Sequence, residues 1–150
     1  MMPDCHACRR IAQIREGTNP FFIAELRESF AVLHDHQPYE GWCVLLLKEH
    51  VEHMHLLPAD RRLALAEDIG RAADAIVRAF GPRRINYECL GNQLAHVHWH
   101  IIPRYQAPQD PDPKAAVWVR PKDELECGVS PQRRSELIFR LGKAGMGREA

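Results

Sequence analysis

The sequence predicts an α+β fold, on three observations. Residues 30–33 and 42–47 are short apolar runs joined by a polar turn, residues 58–80 carry a long helical repeat, and residues 96–102 alternate with a period of two. At 150 residues the chain is most naturally one domain, spanning residues 1–150, with residues 1–20 as an N-terminal arm and residues 105–150 as a C-terminal extension. A chain of this size buries roughly two-thirds of the surface its unfolded form exposes.

In chain order, the first feature is Cys5-His6-Ala7-Cys8, a C-x-x-C that fits a redox pair, half a zinc site or two unrelated thiols. Next, Phe30-Ala31-Val32-Leu33 reads as a strand ending at His34-Asp35-His36-Gln37-Pro38. Gly41 closes the turn, and Trp42-Cys43-Val44-Leu45-Leu46-Leu47 returns as the second strand of a hairpin. Asp35, at the end of the first strand, suits a turn-forming position.

Pro58 and Asp60 mark the start of the main helix, because proline suits a first turn and a carboxylate suits the positive end of the dipole. Leu63, Ala66, Ile69, Ala73, Ile76, Val77 and Phe80 form the expected packing stripe. Arg61, Arg62, Glu67, Asp68, Arg71, Asp74 and Arg78 are the expected solvated face. Gly81-Pro82 stops the helix. Residues 85–90 read as a strand, Gly91-Asn92-Gln93-Leu94-Ala95 as its connection to the next, and the proline-rich residues 105–113 as an ordered loop or flap. Ser130-Pro131 opens a last helix with Leu137, Ile138 and Leu141 as its apolar stripe, and residues 142–150 are expected to fray.

The most informative stretch is His96-Val97-His98-Trp99-His100-Ile101-Ile102-Pro103-Arg104. In a strand, alternate side chains share a face, so His96, His98 and His100 should line up on one side. Val97, Trp99 and Ile101 should then pack into the core on the other, with Pro103 closing the strand. Three imidazoles in alternation are costly to bury without partners, which argues for a functional row.

This His-φ-His-φ-His-φ-φ run, with φ apolar, resembles the signature of the histidine-triad (HIT) superfamily of nucleotide hydrolases and transferases. The preceding Ile85-Asn86-Tyr87-Glu88-Cys89-Leu90-Gly91-Asn92 strengthens the likeness. The resemblance covers residues 5–118 and implies a HIT-like fold: a mainly antiparallel sheet of about five strands with one long helix and a shorter C-terminal one. It implies attack by His98 on the α-phosphorus of a nucleoside phosphate conjugate to give a nucleotidyl-histidine. His100 would orient that ring or donate to phosphate, and His96 would lie on the leaving-group side. Asp35 would hold ribose, and Asn86, Asn92 and Gln93 would surround the phosphate. Trp118 would approach the nucleotide or serve packing. Bacterial relatives further imply a structural zinc on Cys5, Cys8, His50 and His96, with His53 and His55 as competing ligands and no metal required for chemistry. A homodimer is implied by the same analogy.

Two departures bear on substrate. The chain reads Gly91-Asn92-Gln93 where many Hint-type phosphoramidases place a hydroxyl, and Trp42 follows Gly41 where relatives often have histidine. The Leu-Gly-Asn run with Trp99 and Ile-Pro-Arg looks closer to a bacterial subgroup related to diadenosine polyphosphate hydrolases. The expected substrate is a purine nucleotide conjugate. The rivals are a nucleotide-binding regulatory module with little turnover and a metalloenzyme using all three histidines.

With 20 acidic and 20 basic residues and a formal net charge of +0, nothing suggests phosphate-neutralising nucleic-acid binding. There is no apolar run of about 18 residues, and the first five residues have no export-signal pattern, so a cytoplasmic protein with free thiols and no membrane partner is expected.

Overall fold

The computed structural model describes residues 4–147. Residues 1–3 and 148–150 lie outside the described residues, and with them the beginning of the N-terminal arm and the end of the tail expected to fray. Among the described residues, five strands form one sheet: β1 (Phe22–Glu25), β2 (Ser29–Leu33), β3 (Cys43–Leu47), β4 (Arg84–Glu88) and β5 (His98–Arg104). Their spatial order is β1-β2-β3-β5-β4 and every neighbouring pair is antiparallel. The helices are α1 (His6–Arg15), α2 (Ala59–Phe80), the short α3 (Lys122–Leu125) and α4 (Pro131–Lys143). The α+β class, the hairpin, the long helix and the shorter C-terminal helix all match the expectation.

The apolar run of β3 follows from its position. Ala31, Leu33, Cys43, Leu45 and Ile101 pack on one face of the sheet against Ala72, Ile76, Leu137 and Leu141 of α2 and α4. On the other face Phe30, Val32, Val44 and Leu46 meet Ala7 and Ile11 of α1. With both faces covered, polar alternation has no use.

Helix α1 and strand β1 were not expected. The signal for α1 is Ala7, Cys8 and Ile11, a buried i, i+4 stripe diluted by Arg9, Arg10 and Arg15. The packing stripe of α2 also differs from the expectation. Ala64, Leu65, Asp68, Ala72, Ala73, Ala75 and Ile76 are buried, whereas Leu63, Ala66 and Val77 are exposed. The small alanines let the helix approach the sheet closely. Asp68 is buried because its carboxylate accepts from the Arg27 N–H (3.2 Å), the Glu28 N–H (2.9 Å) and the Ser29 hydroxyl (2.8 Å). Gly81 caps α2 at φ 60°, the left-handed conformation glycine takes without strain.

Strand β5 begins at His98, not His96, and runs through Pro103 to Arg104. Pairing with β3 ends at Ile101, so the later residues of β5 have β4 on one side only, where proline is tolerated. Arg104 and Asp110, both buried, then order the proline-rich segment. Arg104 Nε lies 2.7 Å from Asp110 Oδ2, and the guanidinium also donates to the carbonyls of Asp112 and Ala115. This segment is a pinned loop, and a turn of 3-10 helix at Val117–Val119 follows it. The tail does not fray at residue 142: α4 continues to Lys143 and Met146 is buried in the core. No helix among the described residues is long and apolar enough to cross a membrane.

Candidate active site

On the α1 side of the sheet lies a cleft of about 680 Å³. His98 pairs with Leu46 and His100 with Val44, so Val44, Leu46 and the two imidazoles share its floor. Helix α1 supplies His6, Ala7 and Arg10 as one wall. His34 and Asp35, the connection through Asn92 and Gln93, and Trp118 complete it. A larger groove of about 820 Å³ between α2 and α4 contains none of the expected site residues.

The two imidazoles have opposite protonation patterns. His98 Nδ1 lies 2.6 Å from the main-chain carbonyl oxygen of His96, an acceptor only, so Nδ1 carries the hydrogen and Nε2 keeps its lone pair. Trp42 Nε1, a donor only, lies 3.1 Å from His100 Nδ1, so in His100 the hydrogen resides on Nε2. Burial, with smaller contributions from His34 and His98, pushes the His100 imidazole down to about 3. It is neutral at physiological pH.

His96 departs from the row. A tight turn in which its N–H donates to Leu94 O precedes β5, and the His96 ring does not line the cleft. Its Nε2 donates to Leu47 O at 2.8 Å, which leaves Nδ1 facing Cys5 Sγ at 3.5 Å and Cys8 Sγ at 3.7 Å. His50 Nδ1 is 3.5 Å from Cys8 Sγ. The four ligand atoms of Cys5, Cys8, His50 and His96 lie within 4.8 Å of one another. Tetrahedral zinc with ordinary Zn–S and Zn–N bonds places sulfur and nitrogen about 3.6 Å apart, so two thiols and two imidazoles at these separations fit zinc closely. The Leu47 carbonyl fixes the tautomer a His96 ligand needs. His53 and His55 stack on each other instead.

The remaining expected residues divide. Asp35 reaches the cleft, with both carboxylate oxygens held by Arg10 at 2.7 and 3.0 Å. Asn92 and Gln93 line the cleft and are exposed to solvent. Trp118 packs edge-on against His100 and Trp42, and its indole N–H bonds to the Glu88 carboxylate. Asn86 is elsewhere: its Oδ1 accepts from Arg104 and it is not part of the cleft, because its register position opposite Ile102 sets it beyond the imidazoles. Sequence reasoning missed His6 and Arg10, whose helix was not foreseen. It also missed His34, read as part of a turn. Trp42, which stands where relatives often have histidine, supplies a polar N–H to His100.

The HIT domain profile matches residues 17–107. The chain belongs to the HIT family. HIT proteins as a group bind nucleotides and are generally nucleotide hydrolases or transferases. A comparison with curated proteins gives no significant match. Among solved structures, this HIT protein is similar to a histidine-triad protein of Sinorhizobium meliloti at 20% identity and a TM-score of 0.74, covering 83% of this chain and 88% of that one. It is also similar to a HIT-family member from Bacillus subtilis at 24% identity and a TM-score of 0.63, covering 98% of each. A zinc-bound histidine-triad protein of Mycobacterium smegmatis matches at 19% identity and 0.62, covering 93% and 94%.

Proposed function

We propose that this HIT protein hydrolyses or transfers at the α-phosphate of a purine nucleotide conjugate, with His98 as nucleophile. The observation that carries this reading is the 2.6 Å bond from His98 Nδ1 to the His96 carbonyl, which aims an unprotonated Nε2 away from the backbone. Attack by that lone pair gives a nucleotidyl-histidine, and water completes the reaction. His100 Nε2–H and the side chains of Asn92 and Gln93 meet the phosphoryl oxygens, a preorganised set of donors. Val32, Val44 and Leu46 offer the base an apolar bed, and Asp35, steadied by Arg10, faces the ribose.

Zinc on Cys5, Cys8, His50 and His96 supplies a cross-link between α1 and the sheet and takes no part in the chemistry. A homodimer and a cytoplasmic location belong to the same reading. Both are carried over from the family resemblance and from the sequence pattern.

Replacement His98→Asn tests the assignment. Turnover of a diadenosine polyphosphate should fall at least about a thousandfold, while AMP binding by calorimetry stays within severalfold. An active variant overturns the role of His98. Tight AMP binding by the wild type with no product from any conjugate would instead favour a regulatory binding module.

A further inference from the structure

Transfer through His98 leaves open how the departing group receives a proton, and the surroundings of the imidazoles bear on this. His96 is turned out of the cleft, its Nε2–H given to Leu47 O and its Nδ1 facing two thiols. His100 faces an indole. Trp42 is 1% exposed and its ring is clamped, stacked on His34 at 4.2 Å and 10°, with Trp118 edge-on at 5.6 Å, among Tyr39, Ile102 and Val117. The direction of its N–H is therefore fixed. An indole N–H neither accepts a hydrogen bond nor gives up its proton near neutral pH. His100 Nδ1 is thus a permanent acceptor, and a proton added there would stand against the indole hydrogen.

Resting on the hydrolase reading, we propose that Trp42 is a positioning residue that fixes His100 as a neutral Nε2–H donor, making the site selective for phosphoanhydrides over phosphoramidates. The distinction lies in the leaving group. With a phosphoanhydride, His98 Nε2 bonds to phosphorus while the P–O bond breaks, and its electron pair departs on a phosphate that is stable as an anion. Water then attacks phosphorus, the P–N bond to His98 returns its pair to Nε2, and the water proton passes to solvent. With a phosphoramidate the pair is left on nitrogen, which must be protonated as it departs.

The groups around the cleft are poorly suited to that task. Among the described residues no Ser, Thr, Tyr, Lys or Cys lines it. Asn92 and Gln93 are not acids, and the Arg10 guanidinium and the Asp35 carboxylate are paired with each other. His34 is stacked on Trp42, and burial holds it below the ordinary imidazole range. Glu88, opposite His100 in the sheet, is an acceptor for Trp118.

The test compares kcat/KM for diadenosine tetraphosphate and adenosine 5′-phosphoramidate in the full chain, with ¹⁵N NMR of histidine-labelled protein as a readout independent of turnover. General acid assistance contributes about 10²-fold or more, so the wild type should favour the anhydride by at least about a hundredfold. His100 should show a protonated Nε2 and a bare Nδ1 from about pH 8 to pH 5. Trp42→His, which can both accept and donate, should narrow the preference by raising kcat for the phosphoramidate rather than by lowering KM. Trp42→Phe should lose the fixed His100 tautomer. Equal use of both substrates by the wild type overturns the selectivity and leaves His98 chemistry standing. A protonated His100 Nδ1 overturns the role of Trp42. Turnover of neither substrate removes the hydrolase reading and the selectivity together.

Discussion

His98 Nδ1 donates to the carbonyl oxygen of His96 across 2.6 Å, while the His96 ring itself stands 3.5 Å from Cys5 Sγ. One residue thus joins the nucleophile to the thiol-imidazole cluster: the ring belongs to the cluster and the backbone to the site. Cys5 and Cys8 also flank His6 and Ala7 of the cleft wall, so the cluster and the cleft share α1.

Metal content follows directly. Protein purified without added zinc should contain about one equivalent per chain, the stoichiometry of a closed Cys2His2 site. Elemental analysis checks this, and less than about a tenth of an equivalent counts against the site. The Cys5→Ser, Cys8→Ser double variant should lose the metal and weaken AMP binding about three- to tenfold, since α1 is no longer tied down at the cleft wall.

The Arg10–Asp35 pair predicts a sugar dependence. If the carboxylate receives the ribose hydroxyls, Asp35→Asn should erase discrimination between AMP and its 2′-deoxy analogue in calorimetric titrations, a loss of about 1 kcal/mol. Arg10→Ala should weaken both nucleotides while preserving the discrimination. An unchanged ratio in Asp35→Asn assigns the carboxylate to the loop instead.

Stability should be most sensitive at Asp110, whose carboxylate is fully buried against Arg104. Asp110→Ala leaves that guanidinium buried without its counter-charge, at a cost of about 3–5 kcal/mol by urea denaturation. The proline-rich loop it anchors leads to Trp118, so tryptophan fluorescence should change in the same variant. Urea midpoints within error of wild type would show that the pair is replaceable.

Acid should destabilise the fold through its neutral imidazoles. Burial lowers both His34 and His100, the latter to about 3, whereas in the unfolded chain each titrates near its ordinary value of 6.5. Between those limits the unfolded chain binds more protons, so stability present above about pH 6.5 drains as pH falls toward 3. Melting temperature should drop several degrees between about pH 7 and pH 4, and His100→Asn should flatten that slope. Equal slopes would remove His100 from the account.

Much of this architecture was legible in the chain. Alternation at residues 96–102 predicted a strand with three imidazoles on one side, of which the structure keeps His98 and His100, and Gly81 and Ser130 marked helix ends that the structure keeps. The inward stripe of α2 was not legible, because alanine suits a buried or an exposed position equally, and only the approach of Arg27, Glu28 and Ser29 makes Asp68 a core residue.

By itself the sequence determined which segments extend, which coil, and that His98 and His100 share a face, since each is a local property of side-chain period. Tertiary structure alone decided which nitrogen of each ring carries hydrogen and that His96 leaves the row. Those outcomes depend on groups far away in the chain: Trp42 for His100, and Leu47, Cys5 and Cys8 for His96. A tautomer is set by whatever hydrogen-bonding group folding brings into reach, and no local repeat encodes that.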